Sequence, residues 1–263
     1  MKAREITYAD YGIDAPKVVR NLFVAGLIGF LVWATAALGL WPGSLTIPVK
    51  GAKIRLELSY MGLGCAIGFL LTGCYMVWGS KIGKVRDRER LLDLIPWTGK
   101  EQVLDLGCGR GLLLIGAAKR LTAGKASGID IWQAEDLSGN SPEATLENAR
   151  REGVEERVDV ITADMRKIPL ADCSADVVLS KWAIHNIYSE GDRAKAIGEI
   201  ARVLKPGGYA IIEDIRYLSE YSAAFARNGC QDIRLVSSRV TSIFITIITM
   251  GSLRPGILLI RKY

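Results

Sequence analysis

The sequence predicts an α/β fold in which a doubly wound sheet domain follows two membrane-spanning helices. Three observations predict this arrangement. Two uncharged apolar runs lie within residues 1–80, strand-like and helix-like segments alternate from residue 101 onward, and the first of those strands ends in three alternate glycines. A chain of 263 residues is long enough for one such domain and an appendage.

The two apolar runs, residues 21–41 and 58–78, are predicted to be transmembrane helices. A bilayer core needs about 20 helical residues, and each run reaches that length. A signal peptide is the competing interpretation of the first run, but its apolar stretch exceeds the roughly 7–15 residues of an h-region, and no small-x-small cleavage site is evident. Buried core helices are the other alternative, although the sheet domain needs no such pair. Residues 1–80 are therefore predicted to form a membrane anchor.

Charges beside the two runs predict the orientation of the protein in the membrane. Nine cations flank the pair of spans, whereas the loop between the spans has three, Lys50, Lys53 and Arg55. Loops rich in Lys and Arg stay in the cytoplasm, which predicts an integral membrane protein with a cytoplasmic C-terminal domain. The net charge of +6 gathers beside a span, so membrane lipids rather than nucleic acid are the predicted partners. The outer cations are Lys2, Arg4, Lys17, Arg20, Lys81, Lys84, Arg86, Arg88 and Arg90.

The remaining segments before the sheet domain are short. Residues 1–20 are expected at the membrane interface, and residues 42–57 as a compact turn between the spans. Residues 81–100 are predicted to be a basic linker, helical over 81–96 and ended by Pro96 and Gly99.

Residues 101–263 are predicted to be a parallel, doubly wound α/β domain, because strands and helices alternate regularly. Such sheets bind ligands at the carboxyl ends of their strands. Ser141 and Pro142 are typical of a helix start, and Gly153 of a helix end. The predicted strands are 102–106, 126–130, 158–162, 175–180, 209–213, 233–237 and 257–261, and the predicted helices are 111–121, 142–152, 193–203 and 219–228.

The turn after the first strand is the strongest local signal. Gly107, Gly109 and Gly111 alternate there, and glycines allow positive φ angles and close approach of a ligand to the backbone. A dinucleotide site has the pattern G-x-G-x-x-G, but here the third glycine comes one residue early and Leu112 occupies its place. Asp105 inside the strand also differs from the apolar strand of that pattern.

Asp105, Gly107 and Gly109 resemble the first motif of class I S-adenosylmethionine-dependent methyltransferases. The run 172–178 resembles the family's entry into its fourth strand, and Leu204-Lys205-Pro206-Gly207-Gly208 resembles its turn before the fifth. The resemblance covers residues 101–214. It implies a seven-stranded Rossmann-like methyltransferase sheet with the last strand antiparallel, and S-adenosylmethionine as the cofactor.

Cofactor-binding residues are expected at the ends of four strands. Asp130 ends the second strand, where a carboxylate can accept both ribose hydroxyls of a nucleoside. Trp132 either covers the adenine or packs in the core. The resemblance implies that Asp164 accepts a hydrogen bond from the adenine amino group. The full set of expected cofactor residues is Asp105, Gly107, Cys108, Gly109, Gly111, Asp130, Ile131, Trp132, Asp164, Met165 and Ser180.

The segment 180–188 faces the cofactor sulfonium in the resembled family, and it contains the chain's one histidine. His185 is the first candidate for a base or an acceptor-orienting residue, followed by Tyr188 and Asp214. In the alternative, His185 packs beside the cofactor and takes no proton. No Asn-Pro-Pro-aromatic or Asp-Pro-Pro-aromatic motif is present, which disfavours methylation of nucleic-acid amines.

The predicted function is methyl transfer to a small or lipophilic acceptor at the cytoplasmic membrane face. An NAD-dependent oxidoreductase and a catalytically silent nucleotide-binding membrane adaptor are the alternatives. No metal site is predicted, because five cysteines form no C-x-x-C pair and one histidine forms no cluster. Residues 240–250 are expected to extend the sixth strand, or else to line an acceptor channel or dip into the bilayer. The sequence leaves the acceptor atom and the oligomeric state open.

Overall fold

The computed structural model describes residues 9–49, 52–133, 135–236, 246 and 251–263. The chain divides into two compact units. The helical unit comprises residues 12–84 and 135–138, and the sheet unit comprises residues 1–11, 85–134 and 139–263. Most of the segment 240–250 lies outside the described residues, so its predicted roles stay predictions.

The helical unit is built on two long apolar helices, α1 (Pro16–Ala37) and α2 (Leu58–Trp78). Helix α2 has the predicted bounds. Helix α1 was expected over 21–41 but begins earlier, because Pro16 suits the first helical turn, and it ends earlier, before Gly39 with a φ of +75°. Both helices are long and apolar enough to cross a membrane, and only 17% and 11% of their most apolar windows are buried.

Glycines let α1 and α2 approach closely. A Cβ atom on Gly29 would lie 2.6 Å from the carbonyl oxygen of Gly62, and one on Gly62 would lie 2.9 Å from the carbonyl oxygen of Gly29. Small residues at such crossings are typical of helix pairs in membranes, where dispersion contacts replace the hydrophobic effect.

Strands β1 (Leu45–Val49) and β2 (Ala52–Leu56) form an antiparallel hairpin between the helices, where the sequence predicted a compact turn. After α2 the chain continues through a π-helix, Gly79–Gly83, into α3 (Lys84–Leu92). Residues 135–138 also belong to this unit: Asp136 O accepts from Ala15 N at 2.9 Å, and Ser138 Oγ accepts from Ile13 N at 2.7 Å.

The sheet unit has seven strands in the order β5-β4-β3-β6-β7-β9-β8, and all are parallel except β9. This confirms the predicted seven-stranded, mostly parallel α/β sheet. The strands are β3 (Gln102–Leu106), β4 (Lys125–Asp130), β5 (Val158–Thr162), β6 (Ala175–Lys181), β7 (Leu204–Asp214), β8 (Cys230–Val236) and β9 (Gly256–Lys262), and the helices are α4 (Leu112–Ala118), α5 (Pro142–Arg151), α6 (Glu190–Val203) and α7 (Leu218–Arg227).

Two apolar layers cover the two faces of the sheet. One layer contains side chains of α3, α4 and α5, including the buried Leu92 and Leu114, and the other contains side chains of α6 and α7, including the buried Ile197 and Phe225. The predicted turn 204–208 is instead the irregular start of β7. Leu204 pairs with Ala175 and Tyr209 pairs with Val177, so the residues between them bulge from the ladder.

Two boundaries differ from the predicted division at residues 80 and 100. Helix α3 was expected as a linker, but from Val85 onward it belongs to the sheet unit, because Leu91 and Leu92 are buried in its core. Residues 9–11 were expected at the membrane interface, but they also belong to the sheet unit, where Tyr11 is 6% exposed.

Candidate functional site

The glycine turn lies where β3 ends, at the carboxyl edge of the parallel strands. Gly107, Gly109 and Gly111 have φ angles of +69°, +54° and +84°, which explains why the sequence places glycine at each position. A Cβ atom on Gly107 would lie 2.3 Å from the Cβ of Ala183, so the loop after β6 packs directly on this turn. The turn is closed by the carbonyl oxygen of Ile129, which accepts from the backbone N–H groups of Gly107 and Cys108.

Asp105 lies beneath the turn. It is 2% exposed, and its Oδ2 accepts from Leu114 N at 2.8 Å, one of the N–H groups that the first turn of α4 leaves unpaired. Burial raises the pKa of this carboxyl to about 7. Asp105 therefore fixes the start of α4 against the glycine turn, and its expected part in cofactor binding stays a prediction.

Asp130 ends β4 and faces the same turn. Its Oδ2 accepts from Gly109 N at 2.8 Å, and its Oδ1 accepts from Trp132 N at 2.6 Å. A carboxylate has about four acceptor positions, so both oxygens keep capacity for further donors. This arrangement suits the predicted binding of ribose hydroxyls.

Asn140 was missed by the sequence analysis, which took only the following Ser141 as a helix cap. Its Nδ2 lies 3.5 Å from Asp130 Oδ1 and 3.3 Å from the carbonyl oxygen of Gln133. Its Oδ1 is buried and has no hydrogen-bond partner among the residues that the structure describes. Buried acceptors are normally paired, so this one marks a place for a donor group of a ligand beside Asp130.

The other expected cofactor residues differ in exposure. Cys108 is buried and burial raises the pKa of its thiol, Ile131 is exposed, and Trp132 is half-buried with its Nε1 donating to Thr162 Oγ1 at 2.7 Å. Ser180 is buried, and its Oγ donates to the carbonyl oxygen of Leu106 at 2.9 Å, so it ties β6 to β3.

Asp164 lies near the start of the loop after β5, and a neighbouring cation pairs with it. Arg166 Nε lies 3.0 and 2.9 Å from its two carboxylate oxygens, and this guanidinium holds the pKa of Asp164 below its usual range. The methyl of Met165 lies 3.6 Å from the Cβ position of residue 107, which brings this loop to the glycine turn. The predicted contact of Asp164 with adenine stays a prediction, and such a contact would share the carboxylate with Arg166.

Two side chains of α5 hold the carbonyl groups of the glycine turn, and neither was found from the sequence. Thr145 Oγ1 donates to the carbonyl oxygen of Gly109 at 2.6 Å, and Asn148 Nδ2 donates to that of Arg110 at 3.0 Å. Both are buried polar side chains on an amphipathic helix, a pattern that also fits ordinary capping.

The N-terminal segment joins the same helix. Asn148 exchanges hydrogen bonds with the backbone of Asp10, both at 2.9 Å. Tyr11 OH donates to Glu152 Oε1 at 2.8 Å and accepts from Arg88 at 3.0 Å, and burial raises the pKa of Tyr11. Residues 10 and 11 thus brace the helix that holds the glycine turn.

His185, in the loop after β6, and Asp214, the last residue of β7, are brought together by the pairing of these two strands. His185 Nδ1 lies 2.6 Å from Asp214 Oδ1, but the contact does not have hydrogen-bond geometry. Asp214 is fully buried. Asp214 Oδ2 accepts from His185 N at 3.0 Å and from Tyr221 OH at 3.2 Å. Nε2 is at the opposite edge of the imidazole from Nδ1, and the His185 side chain is 17% exposed.

Tyr188, the third catalytic candidate, is fully exposed in the structure, so its side chain does not join the pair. Tyr221 was not predicted, and burial together with the Asp214 carboxylate raises its pKa. Arg193 fixes the loop that contains His185: its guanidinium donates to the carbonyl oxygens of Ile187 and Tyr188 at 2.8 Å and pairs with Glu220 at 2.8 Å.

The donor and acceptor set fits a nucleoside. Backbone groups of the glycine turn, the Asp130 carboxylate and the unpaired Asn140 oxygen lie together, and each can bind a sugar hydroxyl or a polar chain. Over the described residues, no group of three His, Cys, Asp or Glu side chains is arranged to hold a metal ion.

Comparison with known proteins agrees with this geometry. Residues 104–212 match a family model described as a methyltransferase domain. The chain is 35% identical to methyltransferase GfsG of Streptomyces halstedii, over 49% of this chain and 43% of that protein. It is 29% identical to the chloroplastic 2-phytyl-1,4-beta-naphthoquinone methyltransferase of Arabidopsis thaliana, over 52% of each protein.

A solved structure of geranyl diphosphate methyltransferase in complex with SAM has the same fold. The TM-score is 0.55 at 19% sequence identity, and the alignment covers 76% of this chain and 91% of the other. The chain spans about half the length, or less, of the two relatives above.

Proposed function

We propose that the protein is a class I S-adenosylmethionine-dependent methyltransferase that transfers a methyl group to a small or lipophilic acceptor at the cytoplasmic face of a membrane. The match of residues 104–212 to a methyltransferase domain supports this proposal. The observation that carries the proposal is the candidate nucleoside site within the matched segment, which we call the nucleoside cradle and which is formed by residues 107–111, Asp130 and Asn140. Its positive-φ glycines lie against the loop that carries His185, and Asp130 lies beside them.

S-adenosylmethionine, the cofactor, supplies a methyl group that is already activated on a sulfonium. The protein has to hold the adenosine, align the acceptor and exclude water. Asp130 and Asn140 are proposed to bind the ribose, and the backbone of residues 107–111 to bind the polar chain. Glycine is needed at position 107, because any side chain there would collide with Ala183 and push the loop after β6 away from the glycine turn.

His185 is proposed to act as the general base. The buried Asp214 lies beside Nδ1, and Nε2 is proposed to take a proton from the acceptor while the methyl group is transferred. The imidazolium that forms is stabilised by the Asp214 carboxylate. An acceptor that needs such a base carries its own proton, for example a hydroxyl or an enol group.

The membrane location is supported by α1 and α2, which are apolar, long and mostly unburied. The basic residues on the outer side of both helices favour a cytoplasmic sheet unit. A tethered enzyme meets membrane-dissolved molecules at high local concentration, which favours a lipophilic acceptor. One relative is named for a naphthoquinone substrate, and this supports the same class.

The test uses the full chain, purified in detergent and returned to lipid vesicles. Labelled S-adenosylmethionine is supplied with fractionated membrane extracts and with small-molecule pools, and label is expected in the membrane lipid fraction. Asp130→Ala is the matched variant with weakened cofactor binding, and it should transfer less label at limiting S-adenosylmethionine. Label only in water-soluble products would overturn the lipophilic acceptor while keeping the enzyme.

Calorimetry separates the alternatives. Binding of S-adenosylmethionine and S-adenosylhomocysteine without NAD binding is expected of a methyltransferase. Binding of NAD alone would instead support an oxidoreductase. Cofactor binding with no labelled product in any fraction would support the silent adaptor.

A further inference from the structure

The hairpin between the two long helices has one entirely apolar face. Directly opposite residues of an antiparallel pair share a face of the sheet. The pairs Leu45–Leu56, Ile47–Ile54 and Val49–Ala52 therefore form one face, which we call the apolar hairpin face. The intervening pairs Thr46–Arg55 and Pro48–Lys53 form the opposite face, which carries two cations.

The apolar hairpin face is only partly covered by the residues of the helical unit that the structure describes. Leu45, Ile47, Val49 and Ile54 are 40–50% exposed. An isolated two-stranded hairpin is at best marginally stable in water, and three or more strands or a packing partner are normally needed. Exposed contiguous apolar surface of this kind marks a contact with another molecule or with a membrane.

The hairpin is fixed to the ends of both helices. Ser59 N, in the first turn of α2, donates to the carbonyl oxygen of Gly43 at 2.9 Å, and Arg55 pairs with Glu57 at 2.7 Å. Helix α2 begins two residues after β2 ends. If the helices span a bilayer, the base of the hairpin is therefore held at the bilayer surface.

Aromatic residues mark that surface at both ends of the helices. Trp41 and Tyr60 lie at the hairpin end, with Trp41 Nε1 donating to Thr35 Oγ1 at 3.1 Å. Tyr75 and Trp78 stack at 6.1 Å at the other end of α2. Tryptophan and tyrosine are enriched at the two membrane–water interfaces, so their positions define the headgroup levels.

We propose that the β1–β2 hairpin lies flat in the headgroup region of the leaflet at its end of the helices, with the apolar hairpin face against the acyl chains. Lys53 and Arg55 then face anionic headgroups. A hairpin of five residues per strand would reach about 17 Å into water if it stood upright. The flat orientation removes its apolar side chains from water and leaves its cations hydrated. This inference rests on the proposed membrane location and not on the methyl-transfer reaction.

Spin-label accessibility in the full chain tests the hairpin's depth. The exposed Cys65, Cys74 and Cys173 are replaced by alanine, and single cysteines are introduced as Ile47→Cys, Ile54→Cys, Thr46→Cys and Lys53→Cys. Each nitroxide-labelled protein is placed in vesicles with and without anionic lipid. Power saturation then measures collisions with oxygen, which dissolves in the bilayer, and with a water-soluble nickel chelate.

Labels at 47 and 54 are expected to collide mainly with oxygen, and labels at 46 and 53 mainly with the nickel chelate, with anionic lipid strengthening the contrast. Equal access of the chelate to all four labels would overturn the proposal. Protection of 47 and 54 from both reagents, with spin–spin broadening, would also overturn it and indicate a second copy as the occupant.

A label at Ile67→Cys, in the middle of α2, tests the membrane location separately from the orientation of the hairpin. Oxygen access at 67 with uniform chelate access on the hairpin means that the helices span while the hairpin stands in water. Chelate access at 67 means that the membrane location itself is wrong. Calorimetric binding of S-adenosylhomocysteine to every labelled protein confirms that the sheet unit is folded.

Discussion

At the scale of single residues, the His185–Asp214 pair carries the sharpest expectation about catalysis. The Asp214 carboxylate is buried and lies 2.6 Å from the imidazole Nδ1. We expect His185→Asn to lower kcat by about 10²–10⁴-fold, the usual contribution of a general base, without weakening cofactor binding. Single-turnover kinetics and calorimetry on the same sample measure the two quantities.

The control for this prediction is Tyr188→Phe. Its ring is fully exposed, so the variant should keep wild-type kcat. An unchanged kcat in His185→Asn would leave this histidine as a packing residue. Asp214→Asn should reproduce the loss, because an amide cannot stabilise an imidazolium as a carboxylate does.

Asn140 gives a prediction about cofactor affinity. Asn140→Ala removes the unpaired Oδ1, and we expect S-adenosylhomocysteine to bind more weakly by about 1–2 kcal/mol, roughly a factor of 5–30. Asp130→Ala should weaken the binding of S-adenosylhomocysteine by about 1–3 kcal/mol. Titration with a ribose-deoxy analogue of S-adenosylhomocysteine tests whether these residues bind the ribose. A variant that lacks the side chain bound to the missing hydroxyl should bind the analogue and S-adenosylhomocysteine with equal affinity.

Gln133→Ala is the matched control for Asn140, because only the backbone carbonyl of residue 133 contacts the amide. If Asn140→Ala weakened binding of S-adenosylhomocysteine and of the ribose-deoxy analogue equally, the residue would be shaping the loop and not binding the sugar.

The buried Asp105 carboxyl is expected to make the folding stability of the protein depend on pH. Its folded-state pKa of about 7 is raised from 3.8 by burial, so the folded protein favours the protonated carboxyl. The stabilisation from this proton is complete below pH 4 and is lost as the pH rises through 7. Asp105→Asn keeps an acceptor for Leu114 N without the charge, and should be more stable than wild type by up to about 4 kcal/mol near pH 8.

Thermal unfolding of wild type and Asp105→Asn without cofactor, at pH 5 and pH 8, measures this pH dependence of stability. The Tm advantage of Asp105→Asn should be larger at pH 8 than at pH 5. Asp159→Asn, at an exposed carboxylate on β5, should show no such growth. An advantage independent of pH would mean that the Asp105 carboxyl does not titrate in this range.

At the scale of elements, the crossing of α1 and α2 depends on glycine. Gly29→Ala would place a methyl group 2.6 Å from the Gly62 carbonyl oxygen, and the two helices would have to separate. We expect a loss of about 1–3 kcal/mol, the usual cost of overpacking. Gly68→Ala is the matched control, because, apart from its own stretch of helix backbone, none of the described residues has an atom within 4 Å of the added methyl group, and alanine is the better helix former.

Unfolding of the full chain by SDS in mixed micelles, followed by circular dichroism, measures the two variants. Gly29→Ala should unfold at a lower SDS fraction than wild type, and Gly68→Ala at the same or a higher fraction. The reverse order would show that the helices do not cross at Gly29 in solution.

At the scale of the whole molecule, residues before α1 are needed by the sheet unit. Tyr11 and Asp10 contact α5, so a fragment of residues 85–263 lacks both contacts and leaves Glu152 and Asn148 without these partners. We expect this fragment to melt at a lower temperature than the full chain and to regain stability when the eleven N-terminal residues are fused back to it. Equal Tm values for the fragment with and without the fusion would contradict this.

Much of the fold follows from local patterns in the sequence. The seven strands and four helices of the sheet unit alternate with clear apolar segments and end at Gly, Pro or cap residues, so their positions were predicted within a few residues. Asp130 and the glycine turn were also predicted, because their chemistry depends on adjacent residues of one strand end. Asn140, Thr145, Asn148 and Tyr221 could not be found in this way, since their partners lie on other elements.

The helical unit shows the same division. Hydropathy predicts the two apolar helices, but it does not reveal that residues 45–56 pair into a hairpin with one apolar face, because register depends on strand pairing. Hydropathy also places residues 9–11 before a span, whereas the sheet unit binds them through hydrogen bonds to α5.

By itself the sequence determined the α/β class, the methyltransferase motif and the two apolar helices, because periodicity, turn glycines and hydropathy are properties of neighbouring residues. Only the tertiary structure decided which distant groups meet: His185 with Asp214 and Tyr221, Asn140 with Asp130, and Tyr11 with Glu152. Such pairs depend on how strands are ordered and helices packed, and no local spacing along the chain encodes that order.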